Sequence, residues 1–225
     1  MSGPLLRRKA MKKLLLLIVV SIFSLNVYAH GGASAISGVR WTPVNIVAFP
    51  IALFDPGETE VYGILFSPGM GMSEKNVYGV NLGIATLLFG KCYGASINII
   101  SVLENNGLLL GLFNLHKNNG MAWGLCNLIV DNNGISLGGI NLLENNAGAS
   151  IGIVNMMIAG GGKSNGVSIG VANISQNNIL QLGIYNQAES GLQIGLLNHN
   201  PNALIPWMPI FNWSAQSSPE KTQKK

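Results

Sequence analysis

The sequence predicts an all-β protein built from a short repeat, and three observations carry that reading. One phrase recurs down the second half of the chain: a glycine, three residues, a second glycine, two residues, an asparagine. Within each copy the apolar residues alternate with small or polar ones, which is the period of a strand. Asparagine–glycine pairs separate several copies, and both residues tolerate the positive φ that a tight reversal needs.

The copies begin with Gly107-Leu-Leu-Leu-Gly111-Leu-Phe-Asn114 and continue at 120–127, 134–141, 148–155, 166–173 and 191–198; the copy at 179–186 keeps its second glycine and has lost its first. The repeat positions are therefore the second glycines, Gly111, Gly124, Gly138, Gly152, Gly170, Gly183 and Gly195, and the asparagines Asn114, Asn127, Asn141, Asn155, Asn173, Asn186 and Asn198. Successive asparagines lie 13, 14, 14, 18, 13 and 12 residues apart, one structural unit per copy. A glycine kept inside a strand gives up side-chain packing, so each second glycine is expected to lie under a close neighbour. Each asparagine shares its alternation face with three apolar side chains. Its amide is therefore expected to be buried and paired with the next copy.

Upstream, 30–40 is small and polar, and 41–54 is apolar but holds Pro43 and Pro50, which suits an edge or leading strand. Asp55-Pro56-Gly57 is a turn signal. Segments 60–66 and 76–84 share a Val-Tyr-Gly opening and read as degenerate early copies, with Gly79 and Gly83 in the glycine places and Thr86 in the asparagine place. Segment 92–100 continues the series with Asn98 where the second glycine belongs.

Two architectures fit a one-strand repeat. In an up-and-down antiparallel β-barrel each copy is one strand, the Asn-Gly pairs are hairpins, and starts near Val44, Thr59, Asn76, Cys92, Leu108, Met121, Ile135, Ala149, Val167, Ile179, Leu192 and Leu204 give about twelve strands. Nine residues tilted as in outer-membrane barrels cover roughly 22 Å, close to their ~25 Å apolar band. In a β-solenoid each copy is one coil, the Asn-Gly pairs are corners, the asparagines stack as a ladder, and the aliphatic trio fills the axis. That arrangement leaves Phe113, Ile140, Val154 and Leu197 on a nearly uncharged outside. Pro206 and Pro209, near the end, count against a barrel strand there.

Only 10% of the 225 residues are charged, against about 25% in soluble proteins. Between 99 and 212 there are six: Glu104, Lys117, Asp131, Glu144, Lys163 and Glu189. Such a surface is covered by amides, or faces lipid or another protein. The net charge of +4 comes from basic residues near the two ends, so it gives no reason to expect a nucleic-acid partner.

The start of the chain reads as an export signal. Lys12-Lys13 precedes the apolar run 14–22, and Val27-Tyr28-Ala29 supplies small residues for cleavage before His30. Met11-Lys12-Lys13 is a complete signal start in itself, so 1–10 reads as an upstream extension. The domain reading is a signal peptide at 1–29, a leading segment at 30–56, the repeat domain at 57–214 and a polar tail at 215–225.

No catalytic, cofactor or metal site is expected. His30, His116 and His199 lack metal-ligand spacing, and His116 and His199 are expected at strand ends. Cys92 and Cys126 form a possible disulfide pair in an oxidising compartment or, more simply, two small strand residues. Gly160-Gly161-Gly162-Lys163-Ser164 lacks the spacing of a phosphate loop.

The copies, with Gly191-Leu-Gln-Ile-Gly-Leu-Leu-Asn198 followed by Pro206-Trp-Met-Pro-Ile-Phe-Asn-Trp213, resemble a family of bacterial surface-repeat proteins built on G-L-Q-I-G-L-x-N phrases, over roughly residues 41–213. The resemblance implies an exported cell-envelope protein and no particular activity. Many of those relatives look like lipoproteins; here the residue directly after the cleavage point is His30 and not cysteine, and a polar tail follows Trp213. Two functional expectations follow. One is an outer-membrane or surface protein with a structural or pore-like role, whose partners are envelope components. The other is an exported module, at the surface or in the periplasm, that binds a protein or polymer along a flat face.

Overall fold

The computed structural model describes residues 34–48, 51–158 and 164–215. The proposed signal peptide, His30 and nearly all of the proposed tail lie outside them, as does the whole glycine run before Ser164. Among the described residues there are fourteen strands and no helix. The chain divides into two compact units, Met1–Gly124 and Leu125–Lys225.

In the first unit lie β1 (Ser34–Ile36), β2 (Trp41–Ala48), β3 (Ile51–Phe54), β4 (Glu60–Ser73), β5 (Val80–Cys92), β6 (Ala95–Asn105) and β7 (Leu108–Asn118). β8 (Met121–Asn132) carries residues of both units. The second unit continues with β9 (Ile135–Asn146), β10 (Ala149–Met157), β11 (Val167–Ile174), β12 (Asn177–Gln187), β13 (Ser190–His199) and β14 (Trp207–Ser214).

From β4 to β7, and again from β9 to β13, every neighbouring pair of strands is parallel. This decides between the two architectures, because an up-and-down barrel requires antiparallel neighbours. Each unit is a β-solenoid of stacked coils, and the barrel of about twelve strands is not formed. The Asn-Gly pairs are corners rather than hairpins: only Asn106 and Gly107 separate β6 from β7. A two-residue corner suffices because each strand bends round its own coil.

The bend shows in the burial pattern. Along β7 inward and outward positions alternate until Leu112 and Phe113, both of which point out, after which Asn114 is buried. This change of parity after the second glycine corrects a sequence expectation. The aliphatic trio does not fill the axis: in β11 Ile169 and Val171 are exposed, whereas Ser168 and Asn173 are buried. In this strand the inward side chains are polar and the outward ones apolar.

The stack changes character along the first unit. Its early coils have an apolar interior that includes Val61, Leu65, Val77, Leu88 and Cys92. Outside, Tyr62 stacks on Tyr78 at 4.7 Å and Tyr78 on Tyr93 at 5.0 Å. In the later coils asparagine takes the tyrosine place, and Asn119 donates to Asn106 at 3.0 Å. Register supports the reading of the degenerate copies: Thr86 pairs with Ser101 and Ser101 with Asn114, while Asn98 lies between Gly83 and Gly111.

The ends are built differently. At Pro43 the register of β2 against β4 slips, as expected where a ladder donor is missing. β14, which contains Pro209, runs antiparallel to β13 and closes the second unit's stack as an edge strand.

Candidate binding face and the amide core behind it

The second glycines come together as expected. Gly138, Gly152, Gly170, Gly183 and Gly195 stand in one register column. A Cβ on Gly152 would fall on the Gly138 carbonyl oxygen, one on Gly170 on that of Gly152, and one on Gly183 on that of Gly170. Only a hydrogen fits there. In the first unit a Cβ on Gly111 would meet the Asn114 side chain and lie 2.8 Å from the Asn98 carbonyl oxygen; Gly124 is buried in β8.

The space these glycines leave is taken by the asparagine ladder. Asn127 donates to Asn141 Oδ1, Asn141 to Asn155, Asn155 to Asn173, Asn173 to Asn186 and Asn186 to Asn198, each at 2.8 Å. The same amides also donate to backbone: Asn155 reaches the Ile169 carbonyl at 2.9 Å and Asn173 the Leu182 carbonyl at 3.0 Å. Ser136 and Ser150 add hydroxyl donors to Asn141 and Asn155 at 2.9 and 2.6 Å. Asn198 ends the ladder on the Met208 carbonyl of the closing strand at 3.1 Å. In the first unit Asn114 reaches the Trp123 carbonyl at 3.3 Å. Partnering at this level offsets the desolvation cost of a buried amide.

A second ladder escaped the sequence reading. In each Asn-Asn-Gly group the first asparagine points inward: Asn105 donates to Asn118 at 2.9 Å in the first unit, and Asn132 to Asn146 at 2.8 Å in the second. The signal was present, because a generic turn varies its residues whereas this position repeats. Gln193 likewise donates to Gln181 at 3.2 Å in the interior.

With the polar groups turned inward, the outer face of the second unit is left to aliphatic side chains. One register row runs Ile135, Ala149, Val167, Leu180, Leu192 and ends in Trp213. The next runs Leu137, Ile151, Ile169, Leu182, Ile194 and ends in Phe211. The residues after the second glycines, Ile153, Val171, Ile184 and Leu196, are exposed by 48 to 72%. None of these side chains is charged. The unit's described acidic residues, Asp131, Glu144 and Glu189, lie at or next to the coil corners.

No family model, curated protein or solved structure matches the chain. The reading of this face therefore rests on its geometry.

Among the described residues no three of His, Cys, Asp and Glu cluster as metal ligands. His116 is not at a strand end as expected; it is buried within β7 beside Leu103, and burial lowers its pKa to about 4, opposed only in part by the backbone of Asn114. His199 does end β13, where it stacks on Trp207 at 4.1 Å. Both cysteines are free, and burial raises the Cys92 thiol to about 11, which keeps it protonated and unreactive.

Proposed function

We propose that the protein is a non-catalytic, exported repeat module of the cell envelope that binds a partner along its flat outer face. The observation that carries this reading is the pair of adjacent rows from Ile135 to Trp213 and from Leu137 to Phe211, which contain no charged residue. Monomeric soluble proteins rarely leave so continuous an apolar surface uncovered. The export signal read in 1–29 and the resemblance to bacterial surface-repeat proteins point to the same compartment. A coil that spends its polar side chains on its own axis has only shape and apolar area to offer outside. A ligand recognised by charge has no counterpart on this face.

The test is fractionation of cells that express the native chain and a variant with Ile153→Asp, Val171→Asp and Ile184→Asp. These side chains are exposed, so the fold is retained. The native chain is expected in the envelope fraction, and the triple variant is expected to be released into soluble extract. Retention of a correctly folded triple variant in the envelope would contradict the reading.

A further inference from the structure

Resting on that reading, we infer that the partner of the second unit's outer face is the hydrocarbon boundary of a lipid layer, with the closing strand as its interfacial anchor. Three observations carry this.

The first is the absence of polar recognition. In the two rows and the exposed line beside them, the only side chain with a hydrogen-bonding group is Trp213. A protein interface carries about one hydrogen bond per 100–200 Å² and a polar rim. Lipid chains require neither.

The second is shape. The face is one sheet surface about four residue steps across and six strands along, roughly 13 Å by 24 Å. Its aliphatic side chains stand in unbroken register rows rather than as separate anchors, and a lipid layer takes up such rows without a matching partner surface.

The third is the way the aliphatic rows end. On β14 they give way to Trp213 and Phe211, exposed by 62 and 53%. Leu204 and Ile205, in the segment just before β14, are also exposed. Aromatic residues bordering an aliphatic field are the arrangement favoured at a membrane–water boundary, because the indole has an apolar body and one polar N–H. The face holds no lysine or arginine, so the contact does not depend on anionic headgroups.

The experiment is flotation of the purified chain with vesicles of neutral phosphatidylcholine at low and high salt, with tryptophan emission recorded in parallel. The native chain is expected to float at both salt concentrations. Trp213→Phe is expected to float with most of the blue shift lost. Ile184→Asp, with circular dichroism unchanged, is expected to lose at least ten-fold in partitioning. A native chain that stays at the bottom, or an Ile184→Asp chain that floats equally well, overturns the lipid assignment. If native protein fails to float yet is retained in the envelope fraction and released by the triple aspartate variant, the flat-face reading stands and its partner is a protein or polymer. If it fails both, the two readings fall together.

Discussion

Asn141 holds the next coil twice, giving one amide hydrogen to Asn155 Oδ1 at 2.8 Å and the other to the Ile151 carbonyl at 3.1 Å. Its own oxygen accepts from Asn127 at 2.8 Å and from Ser136 at 2.9 Å. A leucine of similar volume keeps none of these bonds, and each buried polar group left unpaired costs about 1–3 kcal/mol. Asn141→Leu is therefore expected to lower stability by at least about 2 kcal/mol in reversible denaturant unfolding. Asn145→Ser removes one part-exposed bond to Asp131 and is expected to stay within about 0.5 kcal/mol of native. A neutral Asn141→Leu would mean that the amide faces lipid or solvent.

Two glycines separate close approach from backbone freedom. Gly170→Ala drives a methyl onto the Gly152 carbonyl, so it is expected to cost more than about 2 kcal/mol despite alanine's lower unfolded-state entropy. Gly69 has nothing within 4 Å of its would-be Cβ, and Gly69→Ala is expected to be neutral or stabilising by up to about 1 kcal/mol. Equal melting temperatures for the two variants would refute the stacking argument.

His116 gives the first unit an acid-sensitive point. Its folded-state pKa, about 4, lies below the ordinary 6.5, so the folded state binds the proton more weakly than the unfolded chain. Above pH 6.5 both states are neutral and the group has no effect. Stability then falls as pH drops from about 6.5 to about 4, where the loss levels off at about 3 kcal/mol. His116→Leu fills the column beside Leu103 and is expected to flatten this part of the pH profile. An unchanged slope between pH 6.5 and 4 in the variant would assign the effect elsewhere.

Much of this architecture is written in the repeat, and its omissions have physical causes. The strand period, the buried asparagines and the crowded second glycines follow from alternation and spacing, and Thr86 and Asn98 fell into their expected columns. Strand direction did not follow, because Asn133-Gly134 suits a hairpin and a coil corner equally well. The facing of the aliphatic rows was misread because strict alternation places Asn173 on the side of Val167, Ile169 and Val171, and only the bend after Gly170 turns that parity over. Burial of His116 was missed because an ionisable ring is costly to bury, although its place in the coil is a buried leucine in the preceding strand.

Ile210 offers a check on the closing strand. It is the one described non-glycine residue with positive φ, 72°, and its side chain is 71% exposed. A β-branched residue is strained in that region, whereas asparagine tolerates it. Ile210→Asn is expected to raise stability by about 1 kcal/mol, read as a higher melting temperature. A lower melting temperature would mean that the β14 backbone is not held in this conformation.

The central claim is that successive copies stack in parallel and in register, and the most direct measurement is the separation of Ala149 and Val167, which begin β10 and β11 and are register partners. Nitroxide labels are placed at Ala149→Cys and Val167→Cys in a chain carrying Cys126→Ala, with the buried, unreactive Cys92 retained. Parallel coils put the two backbones about 5 Å apart, so strong dipolar broadening is expected in the electron paramagnetic resonance spectrum. A narrow spectrum for this pair, with broadening instead between labels at Ala149→Cys and Ile174→Cys, would show antiparallel strands and contradict the solenoid.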